Sequence, residues 1–299
     1  MSGTTQKLAI VQVDVFTDRA LTGNALAVVL DGRGLTTEQM QALARETNLS
    51  ETTFILPDDP AIEKERGVRV RIFTVQEELP FAGHPTLGTA FVLRGQRNTE
   101  EISLALKVGT VPVRFEQRPG QPLFGEMTQK NPQFGMTHTP EAVAAFTNLT
   151  LADFDPSVPI QTVSTGLTFT IAAVRSLEKL RNLRVDLARA SEYLSRTGGK
   201  FFYWVCRETV DPEARLHARM LFYNGEDPAT GSAAGCCAAW TVAHRVAAGD
   251  ERILIEQGIE MQRPSHIFVR ATKQDNQVIN VRVGGNCVEV LRGEITLPR

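Results

Sequence analysis

The chain has 299 residues, enough for two domains or one large one with a sizeable core, and its 42% hydrophobic and 22% charged content is ordinary for a globular protein. Thirty-two basic against thirty-four acidic residues leave a net charge of −2, which disfavours a nucleic-acid or anionic-membrane surface. Cys206, Cys236, Cys237 and Cys287 are too scattered for a disulfide framework or a structural zinc site, and the absence of eighteen consecutive apolar residues excludes a spanning helix. The cytoplasm is the expected compartment.

In chain order, strands are expected over 7–16 and 24–30, the first reading as a strand rather than a signal peptide because Gln12 and Asp14 interrupt it. TTEQMQALARET follows as an amphipathic helix with Thr36 or Thr37 as N-cap and Met40, Leu43 and Ala44 on one face. TTFILP and VRVRIF alternate as strands, GHPTLGTAFVLR reads as a helix, and EISLALKV and VPVRFEQ are strands again. The segment 118–140, with Pro119, Pro122, Pro132 and Pro140, is expected to carry the inter-domain crossing. Beyond it come strands near 160–165 and 168–175, a helix over 186–197, strands FFYWVC and LHARMLF, and a small-residue helix over 231–247.

The second half thus repeats the order of the first. Its best support is a shared module, EELPFAGHPTLGTAFVL and GEDPATGSAAGCCAAW, each an acidic pair, a Pro, a Gly turn and a helix apolar nearly all round. Such helices must be buried on every side, so each is expected to run through a curled sheet. The expected fold is α+β: two similar halves, each a curled sheet around a central apolar helix. The N-terminal half is placed at 1–121 and the C-terminal half at 122–285.

Helices that start at Gly turns present unpaired N–H groups and a positive dipole end, suited to a carboxylate-bearing ligand. The same glycines also serve simply as tight turns and close-packing positions, and the sequence leaves both readings open. No G-x-G-x-x-G follows a predicted strand, and there is no G-x-x-x-x-G-K-[ST] or G-x-S-x-G, so nucleotide and α/β-hydrolase readings lose their warrant. His138, His217, His244 and His266 have no metal-ligand spacing and read as surface or packed histidines. Glu51, in NLSETTFIL, lies at a loop-to-strand junction, where a side chain can point from a rigid scaffold into a cleft.

NLSETTF, RVRIFT with FAGHPTLG, and GEDPATGSAAG together resemble the signature blocks of the phenazine-biosynthesis PhzF-like isomerase family, and DVFTDRALTGNALAVVL and VGGNCVEVLRGEITL resemble its two ends. The resemblance implies the diaminopimelate-epimerase-like fold of two pseudo-symmetric domains, each a mostly antiparallel barrel-like sheet around its central helix, with 1–121 completed by strand 286–299, 122–285 as the other domain, and the active-site cleft between them. It implies Glu51 as acid/base with His84 and Asp227, and Asn24, Gly83, Thr230, Gly231 and Ser232 as substrate contacts. It further implies a cofactor-independent proton transfer on a small carboxylate-bearing substrate, with no metal, and a homodimer. Ala25 stands where the family often has Pro. Epimerases of this fold use two facing cysteines, and neither turn has one here, so a two-thiol racemase is disfavoured. A racemase or epimerase using Glu51 with Asp227 or His84, and a non-catalytic ligand-binding protein, are the rivals. Phe54 and Phe81 are apolar neighbours that would raise the Glu51 carboxyl's pKa if they approached it.

Overall fold

The computed structural model describes residues 5–222 and 225–298. The chain divides into two units, Met1–Met127 with Gly285–Arg299, and Thr128–Gly284.

In the first unit the strands are β1 (Thr5–Val15), β2 (Asn24–Val29), β3 (Glu51–Leu56), β4 (Val68–Phe73), the short β5 (Glu78–Leu79), β6 (Glu101–Leu106), β7 (Gly109–Glu116) and β8 (Phe124–Thr128). Helix α1 (Thr37–Thr47) joins β2 to β3, α2 (Pro60–Arg66) joins β3 to β4, and α3 (Gly83–Arg97) precedes β6. Neighbours run β1-β2-β3-β4-β6-β7-β8-β18, and the long last strand β18 (Gln277–Pro298) also pairs with β1, which closes an eight-stranded barrel. Thr36 caps α1 through a complete capping box with Gln39, and Met40, Leu43 and Ala44 are its buried face, as the periodicity implies.

Helix α3 runs through the barrel, in contact with β1, β2, β3, β6 and β7. Every residue from Gly83 to Ala90 is buried, and its last turn emerges into solvent. Gly88 explains how the helix fits: a Cβ there would come within 2.7 Å of Leu26 and 2.8 Å of Val15 on the barrel wall. The helix interior accepts glycine's propensity cost of about 1 kcal/mol to permit that approach.

In the second unit the elements are β9 (Gln133–His138), α4 (Pro140–Ala144), β10 (Ile160–Ser164), β11 (Thr168–Val174), α5 (Leu177–Arg181), α6 (Leu187–Thr197), β12 (Phe201–Cys206), β13 (Leu216–Arg219), β14 (Leu221–Phe222), β15 (Gly225–Glu226), α7 (Gly231–Ala243), β16 (Ile253–Gln257) and β17 (Ser265–Gln274). The path is β18-β17-β16-β13-β12-β11-β10-β9, and α7 packs against β17, β11 and β10 with all residues from Gly231 to Val242 buried.

Among the described residues, each unit has two parallel joints in a mostly antiparallel sheet. β2–β3 and β4–β6 are parallel in the first, β11–β12 and β13–β16 in the second. In each, the earlier joint is crossed by surface helices and the later by the buried one, so the repeat inferred from the two modules is a repeat of topology.

Several elements differ from expectation. The Pro-rich 118–140 segment contains two strands that were not anticipated, β8 and β9, and the division between the two units falls within it. LHARMLF breaks at Met220, because Leu221–Phe222 leave the sheet to pair with Gly225–Glu226. The second buried helix ends at Ala243, four residues before the expected 247.

Candidate active site

In the first unit three polar side chains meet at the start of α3. Asn24 opens β2 and Glu51 opens β3, and the strands are parallel with Leu26 opposite Glu51, so both residues stand at one end of the pair. Alternation along β3 sets the direction of Glu51. Thr52 bonds Thr47 at the end of α1 (2.7 Å), and Phe54 packs with Met40 and Leu43, whereas Thr53 bonds Thr89 of α3 (2.8 Å). Glu51 shares the parity of Thr53 and faces the helix inside the barrel. Phe54 is therefore on the opposite face from Glu51 and does not desolvate it.

His84, in the first turn of α3, places Nε2 3.4 Å from Glu51 Oε2, and Asn24 Nδ2 lies 3.1 Å from its Nδ1. All three are buried, at 7% (Glu51), 2% (His84) and 1% (Asn24) exposure. Burial alone pushes the His84 pKa down to about 3, so the ring is neutral. An amide nitrogen can only donate, hence Nδ1 accepts from Asn24 and Nε2 carries the ring proton on the side of Glu51. Nε2 completes no hydrogen bond within the described residues. Gly83 is the buried first residue of α3, and its N-cap Ala82 offers no side-chain cap, so the first-turn N–H groups are not taken by one.

In the second unit the other anticipated residues lie in one turn at the start of α7. Asp227, Thr230 and Ser232 are buried, at 4%, 6% and 3% exposure, and Gly231 is buried as well. Thr230 makes no cap to the helix. Its hydroxyl instead donates to Asp227 Oδ2 at 2.6 Å and accepts from Gln257 Nε2 at 2.9 Å. Gln257, Tyr203, Gln129 and Thr165 surround this turn and did not emerge from the sequence reading. No sequence signal marks them: Gln257 ends a strand, ILIEQ, whose complete burial is a property of the fold.

The four cysteines are free and buried. Desolvation pushes the Cys236 thiol up to about 11 and raises Cys237 further, so at neutral pH both are thiols without general-base capacity. Both lie in the second turn of α7 or just beyond it, away from its first residues.

A model of phenazine biosynthesis-like proteins matches residues 13–293. An uncharacterized isomerase of Mesorhizobium japonicum is 38% identical, covering 94% of this chain and 96% of its own length. Trans-2,3-dihydro-3-hydroxyanthranilate isomerase of Pseudomonas aeruginosa is 32% identical, covering 96% of this chain and 99% of its own. The solved structure of a predicted epimerase from Pseudomonas aeruginosa matches with a TM-score of 0.83 at 36% identity, covering 96% of this chain and 99% of that one. With a family match spanning nearly the whole chain and isomerases aligned end to end, the chain belongs to the phenazine biosynthesis-like protein (PhzC-PhzF) family and is an isomerase.

Proposed function

We propose that this isomerase moves a proton between two carbons of a small carboxylate-bearing substrate, with Glu51 as the single acid and base. The observation that carries the reading is the buried Asn24–His84–Glu51 arrangement. A histidine with a pKa of about 3 is too weak a base to take a carbon-bound proton at neutral pH, which leaves Glu51 as the group of the three able to cycle one. His84 serves as an oriented N–H donor. The Glu51 carboxylate takes the proton, the C–H electron pair passes into the substrate's conjugated system, and the resulting carboxylic acid returns the proton to a second carbon. No electrons are gained or lost, and the step needs only acid/base groups and hydrogen-bond donors.

Asp227, Thr230, Gly231 and Ser232 are the proposed substrate contacts of the second unit, with Asp227 accepting from a polar hydrogen of the substrate. A substrate carboxylate suits a helix start whose N–H groups are not capped by a side chain.

The test is a panel of small carboxylates, trans-2,3-dihydro-3-hydroxyanthranilate among them, incubated with the protein in deuterated water and read by NMR. Deuterium should enter a carbon position of at least one compound and appear at a second carbon in its isomer. Inversion at a single carbon with no shifted double bond would instead make the chain an epimerase, and a silent panel would count against proton transfer.

A further inference from the structure

Gln257 and Gln129 are buried amides in the second unit, at 0% and 5% exposure, and neither belongs to the set proposed to touch substrate. Every hydrogen-bonding position of the Gln257 amide is used. Nε2 donates to the backbone oxygen of Asp227 at 2.7 Å and to Thr230 Oγ1 at 2.9 Å. Oε1 accepts from the Thr230 N–H at 3.2 Å and from the Tyr203 hydroxyl at 3.0 Å. An amide has two donor hydrogens and two acceptor lone pairs, so it is saturated, and three of its four bonds go to the Asp227–Thr230 turn.

The consequence is directional. The Asp227 carboxylate can only accept, so the single Thr230 hydroxyl hydrogen points to it at 2.6 Å while Oγ1 accepts from Gln257. The Thr230 N–H, which only donates, and the Asp227 carbonyl, which only accepts, fix which end of the amide is oxygen, and the buried Tyr203 hydroxyl donates to that Oε1.

Gln129 acts on the next residue. Its Nε2 donates to the Gly231 carbonyl at 2.9 Å, and its Oε1 accepts from Thr165 at 2.6 Å. Gly235 makes room for it, because a Cβ at that position would overlap the Gln129 amide. A glycine inside a buried helix lowers helix propensity by about 1 kcal/mol relative to alanine, and here its function is to admit this amide.

We propose that Gln257 and Gln129 are positioning residues that clamp the Asp227–Ser232 turn and orient the Asp227 carboxylate for substrate. The inference rests on the reading of that turn as substrate-binding.

The experiment compares Gln257→Met, which keeps the size of the side chain and loses its amide, with Gln257→Glu. A buried, protonated glutamic acid retains one donor and loses it on ionisation. Native-state amide exchange is read at Asp227 and Ala234, whose N–H groups bond Met220 and Thr230 oxygens rather than Gln257. Protection there should fall by about tenfold or more in Gln257→Met, while the amides of β10 and β11 change little. Gln257→Glu should be intermediate between wild type and Gln257→Met near pH 6 and move toward Gln257→Met near pH 9. Gly235→Ala, which displaces Gln129, should weaken protection at Ala234 in the same way. With trans-2,3-dihydro-3-hydroxyanthranilate as the probe, Gln257→Met should raise KM by about tenfold with kcat little changed.

Unchanged protection in Gln257→Met would overturn the clamp, as would a loss spread evenly over the unit or a glutamate variant indifferent to pH. Lost protection with an unchanged KM would overturn the positioning role. The exchange measurement needs no substrate, so it stands or falls independently of the assignment of Glu51.

Discussion

His84 owes its place in the proposed chemistry to a site that does not let it hold a charge. Burial takes its pKa from 6.5 to about 3. As pH falls through 6.5 the unfolded chain takes up a proton there and the folded chain does not, so stability present above that value is lost progressively toward about pH 3. Denaturant midpoints measured from about pH 8 to about pH 4 should fall more steeply for the wild type than for His84→Gln. Equal slopes would mean that the ring titrates normally in the folded state. At this scale the sequence was only partly legible. Glu51 is an unremarkable glutamate until it is placed beside the other signature blocks, and His217 read as an ordinary surface or packed histidine. Gln257 and Gln129 were silent, since a glutamine's partners depend on which backbone groups the fold delivers to it.

At the scale of elements, His217 joins three of them. It lies on β13 with 0% exposure, its Nδ1 2.6 Å from Glu256 of β16 and its Nε2 3.1 Å from Glu260 in the short 3-10 turn Ile259–Met261. Burial opposes the charged ring, but hydrogen bonds to both glutamates outweigh it and raise its pKa, while both carboxyls are lowered. Glu256 also accepts from the Val210 and Asp211 N–H groups, so the triad ties down the loop before β13. His217→Gln would remove the ring that bonds both carboxylates and leave Glu256 buried without it, and urea denaturation should show a loss of about 1–3 kcal/mol. A change below about 1 kcal/mol would show that the backbone donors suffice. Legibility among the elements followed length and composition. Both central helices were readable because neither has a polar face, whereas α2, α4 and α5 span only five to seven residues, too few for a period to show. The strands β8 and β9 were hidden by the prolines and glycines around them.

Across the whole molecule, the doubled plan was legible because both copies of the module carry the same composition, and burying an all-apolar helix requires a sheet wrapped around it. The closing of the first barrel by β18 was suggested only by the resemblance, since pairing between Thr5 and Pro298 spans nearly the entire sequence and no local pattern encodes it. Chemistry was less legible than fold, because the proposed residues come from separate blocks of the chain and each is commonplace alone. The proposed proton transfer therefore depends most on a single carboxyl group. Glu51→Gln keeps the shape and most hydrogen bonds of that side chain but cannot cycle a proton, so carbon-bound deuterium exchange should fall at least about 10²–10⁴-fold while calorimetric binding of the same compound is retained. Wild-type exchange rates in Glu51→Gln would contradict the account and shift the proton transfer to another group.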